Sequence, residues 1–345
     1  MRPEPTKRVT AQDVAAAAGV SQSAVSRVFG AGSASPAMTA RVRAVADRMG
    51  YRPDAVARAM STGRSRLVGL VVAHLDNPFY ALAIERLSRA LQAEGLHLVV
   101  HVTGPNASAD PDGIIRDLMD HRVDGVIAAS VNLSGDLARR CAEAGLPVVL
   151  FNRAAPGTGL PAVTSDNRDG ARAAARFLVA GGHRQVAHVA GWQGSSTGRD
   201  RARGLAEGLA EASLPVHAQI DGHYDGPTAA RAALAMMDMP QPPDAIVAGN
   251  DLMALAVMDA LRDRGLRVPE DVSVVGFDDV PAAAWGAYRL TTVRQDADAM
   301  VAACVDDLVA RIAQPGLPHR HHLTPAPLVV RDSARVPPGT RKDEA

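Results

Sequence analysis

Residues 21–27 read Ser-Gln-Ser-Ala-Val-Ser-Arg. At helical spacing Val25 and Val28 fall on one side, leaving Ser21, Gln22, Ser23, Ser26 and Arg27 on the other. Three hydroxyls, a carboxamide and a guanidinium on the first turns of a helix are groups that hydrogen-bond base edges and phosphates in a major groove. The same face also suits a solvated helix of an ordinary core pair, so the flanking elements must decide. Thr10 can cap a helix before it, with Asp13 three residues on completing a relaxed capping box. That helix carries the small residues Val14, Ala15, Ala17 and Ala18, Gly19 permits a tight turn, and Ser21 caps the second helix. A third helix is predicted over roughly 38–49, with Met38, Val42, Val45 and Met49 on one face and residues 31–37 as a loop. A short fourth helix is predicted over 54–61, where Asp54 follows Pro53. It is too short to be stable alone in water.

Charge separates this head from the rest. Residues 1–66 carry eleven Arg and Lys against four Asp and Glu, a net +7, while the remainder carries 26 against 33. A basic head on an acidic body predicts a polyanion as partner of the head alone. Catalytic chemistry finds little support. Asp278 and Asp279 are adjacent on one extended stretch and diverge, with no nucleophile indicated. His319, His321 and His322 have no carboxylate or thiol at ligand spacing, so neither a metal nor any other cofactor is expected. The loop 191–198, Gly-Trp-Gln-Gly-Ser-Ser-Thr-Gly, precedes a helix but lacks a Walker pattern and reads as a cleft-edge loop. Two cysteines, Cys141 and Cys304, imply no disulfide framework. With no apolar leader after MRPEPTKRVT and no run long enough to span a bilayer, a cytoplasmic protein without membrane contact is expected.

From Leu67 onward strand and helix patterns alternate. Apolar runs at 67–73, 96–101, 124–129 and 147–151 read as buried parallel strands, and a second series follows at 185–191, 244–249, 272–277 and 290–293. Helical patterns lie near 79–94, 110–121 and 134–144, then near 167–181, 199–213, 227–237 and 251–264. The fold class is therefore α/β with an all-α helix-turn-helix head and two doubly wound lobes. The cleft between the lobes is the default ligand site.

Over nearly its full length the chain resembles the LacI/GalR family of bacterial transcription regulators. The resemblance rests on VTAQDVAAAAGVSQSAVSRVFG (9–30), GYRPDAVARAM (50–60), NPFY (77–80), SDN (165–167), AGGHRQVAHVAG (180–191), RARGL (201–205), the run 245–279 ending in GFDD, LTTVRQD (290–296) and LVVRDS (328–333). It implies a helix-turn-helix domain over 1–53, a hinge helix and linker over 54–66, and a periplasmic-binding-protein-like body over 67–345 whose chain crosses between lobes three times. Lobe 1 is expected to hold about 67–160 and 293–320, and lobe 2 about 161–290 and 321–345. By resemblance Gln22 and Ser23 read base edges beside Arg27, Ser21 and Ser26 hold phosphates, Ala57 and Arg58 approach the minor groove, and Met60 acts as the wedge. The resemblance also assigns Phe79, Asn152, Arg153, Arg201, Tyr224, Asn250, Asp278 and Gln295 to a small polar effector. Asn152 stands where several relatives carry Asp. With Arg153 beside it, this favours a sugar acid or phosphate over a plain sugar. The implied protein is a homodimeric repressor of a pseudo-palindromic DNA operator that responds to a sugar or sugar derivative, not an enzyme. A transport receptor for sugars without a DNA role is the alternative, which the basic head and missing leader argue against.

Overall fold

The computed structural model describes residues 9–30, 33–52, 64–73, 75–103, 111–131 and 133–341. Ala57, Arg58 and Met60, with the predicted hinge helix around them, lie outside these residues. The chain divides into two compact units, residues 1–67 with 120–124, and residues 68–119 with 125–345.

In the first unit, helix α1 (Ala11–Ala18) opens with a reciprocal capping box. The Thr10 amide donates to Asp13 Oδ2 at 2.8 Å and the Asp13 amide to Thr10 Oγ1 at 3.3 Å. Gly19 turns the chain at φ +62°, and Ser21 caps helix α2 (Gln22–Phe29). Helix α3 (Pro36–Met49) starts two residues before the pattern predicted, because Ser35 caps it and Pro36 occupies the first turn, where its missing N–H costs nothing. Val14, Ala15, Ala18, Val25, Val28, Val42, Val45 and Ala46 form one small core. The alanines let the first two helices approach closely.

The second unit holds two six-stranded sheets. In lobe 1 the elements are β1 (Leu67–Val72), α4 (Pro78–Ala93), β2 (His97–Val102), α5 (Pro111–Asp120), β3 (Gly125–Ala129), α6 (Gly135–Glu143), β4 (Val148–Phe151) and β5 (Ala162–Ser165). Lobe 2 follows with α7 (Asn167–Ala180), β6 (Val186–Ala190), α8 (Ser196–Ala210), β7 (Gln219–Asp221), α9 (Gly226–Met237), β8 (Ala245–Ala248), α10 (Asp251–Asp263), β9 (Ser273–Asp278) and β10 (Thr291–Arg294). The chain then returns through α11 (Ala297–Ala313) and β11 (His321–Thr324) and ends near β12 (Leu328–Val329). Strand order is β11-β5-β4-β3-β1-β2 in one sheet and β12-β10-β9-β8-β6-β7 in the other. The inner strands are rich in buried Val, Ile, Leu and Ala because helices cover both faces.

The sheets correct the expected lobe boundaries. β5 and β11 pair with each other in lobe 1, residue Ala162 opposite His321, although both ranges were assigned to lobe 2. β10 pairs with β9 in lobe 2, so residues 293 and 294 do not belong to lobe 1. The three crossings fall at 165–167, 294–297 and 324–328, each just past a strand end. β5, β11 and β12 are short, and β11 (His-His-Leu-Thr) is a polar edge strand. None carries a long apolar run, and a strand's sheet is decided by pairing rather than by its own residues.

Candidate functional site

The carboxyl ends of the strands of both lobes face a solvent-open cavity, where α/β sheets generally bind ligands. Asn77, Tyr80, Ser130 and Asn152 line it from lobe 1, and Thr197, Arg201, Tyr224, Asn250 and Asp278 from lobe 2. Four of these residues take left-handed backbone angles: Ser130 at φ +58°, Asn152 at +57°, Tyr224 at +60° and Asp278 at +131°. Such angles each cost on the order of 1–3 kcal/mol in non-glycine residues and gather where a site is preorganised.

Asp278 is the centre of the polar network. It accepts from Asn77 Nδ2 at 2.9 Å and Gln295 Nε2 at 2.6 Å, and lies 3.6 Å from Arg201 Nη2. Burial pushes its carboxyl above the usual carboxylate range, against the opposing pull of Arg201 and the two amides. Arg201 is itself pinned. Its Nε donates to Asn167 Oδ1 at 2.8 Å, Nη1 donates to the Gly249 carbonyl, and the guanidinium stacks 3.7 Å from the Phe277 ring centroid. Asn152 Nδ2 donates to Tyr80 Oη at 2.9 Å, while Asn152 Oδ1, buried in the cavity wall, accepts from no group among the described residues. Thr197 Oγ1 and Tyr224 Oη lie 3.3 Å apart. Asn77 to Asp278 and the Ala154 amide to Ser196 Oγ at 2.9 Å are bonds that join the lobes directly.

The structure brings Asn152, Arg201, Tyr224, Asn250 and Asp278 together as expected, and moves the other three. Phe79 is buried in the lobe 1 core, its ring against Tyr80 and Phe151. The first helical turn turns the next residue, Tyr80, to the cavity instead. Gln295 stands behind Asp278, with Ser165 Oγ donating to its Oε1 at 2.9 Å. The Arg153 guanidinium turns aside to Ser130 Oγ at 3.2 Å and the Trp192 ring at 5.7 Å. Arg153 therefore does not line the cavity itself, but stands behind Ser130, Tyr80 and Tyr224, which do. Asn77, Tyr80, Ser130 and Thr197 were not anticipated. Their signal was positional: Asn77 and Tyr80 flank the Phe79 that drew attention, Ser130 is the first residue past β3, and Thr197 lies in the loop read as a cleft edge.

In the head, Ser21, Gln22, Ser23, Ser26 and Arg27 are all exposed on one face of α2, opposite the buried Ala24, Val25 and Val28. Ser21 Oγ accepts from the Ala24 amide at 3.2 Å and lies 2.9 Å from Ser23 Oγ.

Residues 10–54 match the family model described as bacterial regulatory proteins, lacI family, and residues 175–334 match that of a periplasmic binding protein-like domain. The transcriptional regulator CelR of Thermobifida fusca is 35% identical over 90% of this chain and 93% of its own length. The chain belongs to the lacI family of bacterial regulatory proteins. A lac repressor dimer bound to operator and the anti-inducer ONPF superposes with a TM-score of 0.85 at 28% identity, over 95% of this chain and 99% of that one. A CelR–cellobiose complex superposes with a TM-score of 0.70 at 31% identity, over 95% and 100%. As a lacI-family member the chain is a DNA-binding transcriptional regulator rather than an enzyme, with a helix-turn-helix head on a periplasmic-binding-protein-like body. No helix among the described residues is long and apolar enough to cross a membrane.

Proposed function

We propose that this regulator is a repressor that binds a pseudo-palindromic operator as a homodimer and changes its affinity when a neutral sugar enters the cleft. The observation that carries the effector class is the charge balance of the cavity wall. Among the described residues that line it, the ionisable acid and base, Asp278 and Arg201, face each other. The rest of the lining is hydroxyl, phenol and carboxamide, including the buried Asn152 oxygen, to which no described residue donates. Sugar hydroxyls donate and accept at once, and so satisfy such a wall without adding a charge. The named complexes of relatives support the same reading, since one holds cellobiose and another holds operator DNA.

On the DNA side, Gln22 and Ser23 read base edges, Arg27 stands beside them, and Ser21 and Ser26 hold phosphates. Ala57, Arg58 and Met60 meet the minor groove at the operator centre. Effector and operator are then linked by a coupling free energy, typically ~1–3 kcal/mol in this kind of system.

The test is thermal denaturation of the full chain against paired ligands, each neutral sugar beside its uronic or aldonic acid and its phosphate. A neutral sugar is expected to raise the melting temperature by mass action, and its acid to raise it less. Larger stabilisation by the acids would overturn the neutral-effector reading.

A further inference from the structure

We propose that Asp251, which no ligand in the cleft can touch, is the residue that positions Asp278. The inference rests on the reading of the cleft as the effector site. Asp251 opens helix α10, directly after Asn250 of the cavity wall, and its side chain is fully buried. It does not line the cavity. Its carboxylate instead reaches sideways to two segments. Oδ2 accepts from the Val280 amide at 2.9 Å, and Oδ1 accepts from Thr292 Oγ1 at 2.5 Å.

Those two segments are the ones that hold Asp278. Val280 ends the stretch in which Asp278 and Asp279 take φ of +131° and +58°. Two consecutive non-glycine residues at such angles stay there only under external restraint. The Val280 bond supplies it from the carboxyl side. Thr292 lies on β10, paired with Gly276 of β9. Three residues on, the Gln295 amide donates to the Asp278 carbonyl at 3.1 Å and its side chain donates to the Asp278 carboxylate at 2.6 Å. One buried carboxylate therefore ties the strand that carries Asp278 to the strand that carries its amide partner.

The chain makes room for this carboxylate at a specific place. A Cβ on Gly276 would stand 2.2 Å from Asp251 Oδ1, 2.9 Å from the Leu290 side chain and 3.2 Å from Thr292 Oγ1. Gly276 is thus the hole in β9 through which Asp251 reaches β10. This gives two independent ways to break the tie: remove the carboxylate, or fill the hole and leave the carboxylate in place.

The side-chain amides of Asn77 and Gln295 both donate to Asp278, so their resonances report its position with no ligand or DNA present. Each is assigned by its loss in Asn77→Leu and Gln295→Leu, and both are then read in Asp251→Ala, Asp251→Asn and Gly276→Ala of the full chain. The carboxamide of Asp251→Asn still accepts from Val280 and can donate to a turned Thr292 hydroxyl. We expect it to leave both resonances in place, whereas Asp251→Ala and Gly276→Ala shift both. A role confined to stability would lower the melting temperature of Asp251→Ala and leave the two resonances unmoved, and that result overturns the proposal. So does an equal shift in Asp251→Asn. If Asp251→Ala fails to fold, Gly276→Ala decides by the same criterion. Because no effector is used, failure here leaves the cleft reading standing, and failure of the sugar panel leaves this result standing.

Discussion

Asp278→Asn should cost the body on the order of 3 kcal/mol of stability as well as its ligand. The Asp278 side chain is 1% exposed and that of Arg201 5%. Removing one charge of a buried pair typically costs ~3–5 kcal/mol because the other is left uncompensated. Arg201 keeps Asn167 Oδ1 and the Gly249 carbonyl as acceptors, which places the loss at the low end. Relief of the desolvation and of the Asp251 repulsion pulls in the same direction. Against this, the carboxamide has one acceptor oxygen where the carboxylate had two. One of the Asn77 and Gln295 amides then meets an NH2 group, a further ~1–3 kcal/mol for an unsatisfied buried donor. The sum stays near ~3 kcal/mol. Urea unfolding at pH 7, followed by circular dichroism, measures it. A loss below ~1 kcal/mol would mean that the Arg201–Asp278 contact is not the organising pair of the cleft. The thermal stabilisation that a bound sugar gives the wild type should also vanish in this variant.

His188 on β6 is buried and neutral, with its pKa pushed down to about 4 by burial. The unfolded chain then takes up a proton between pH 6.5 and about 4 that the native state refuses, so stability falls as the pH falls through that window, by about 3 kcal/mol at most. His188→Leu should flatten that part of the stability profile in urea titrations; an unchanged slope would refute the assignment. Arg27→Ala should weaken operator binding by ~1–3 kcal/mol and reduce discrimination against a scrambled duplex, which competition gel shifts measure; equal loss on both duplexes would make Arg27 a phosphate contact instead. Gly204→Ala on α8 would put a Cβ 2.1 Å from the Arg168 carbonyl of α7. The helix pair must separate, at a cost of ~1–3 kcal/mol in unfolding experiments, and no loss would show that the two backbones do not meet there.

Much of this architecture was legible because it is written in local patterns. Thr10, Asp13, Gly19 and Ser21 mark the head by capping and turn chemistry, and each does the expected task. The eight strands first read from the body are apolar runs, and each appears within a residue or two of its predicted range. The lobe boundaries were not legible, because β5, β11 and β12 owe their places to partners more than a hundred residues or one whole helix away. The cleft was half legible for a related reason. Strand-end positions told where a wall must be, but not whether Phe79 or Tyr80 would face it, nor that Arg153 would turn toward Trp192. Rotamer and helical phase decide such matters, and a residue's type does not encode them.

The three crossings also set an order for synthesis. Among the described residues the core of the head closes with Tyr51, so it can fold while the rest of the chain is still being made. Neither sheet has that freedom. The first waits for its edge strand at residues 321–324 and the second for residues 328–329, which leave the ribosome almost together. α11, whose Met300, Val301, Cys304 and Leu308 complete the lobe 1 core, emerges only shortly before them. A nascent chain therefore spends most of its elongation with a finished DNA-binding head on an unfinished body, and such non-local closure is slow. A stop codon between residues 52 and 321 would leave both lobes incomplete while sparing the core of the head. Early truncation should thus yield aggregation-prone fragments rather than a single-lobed sensor.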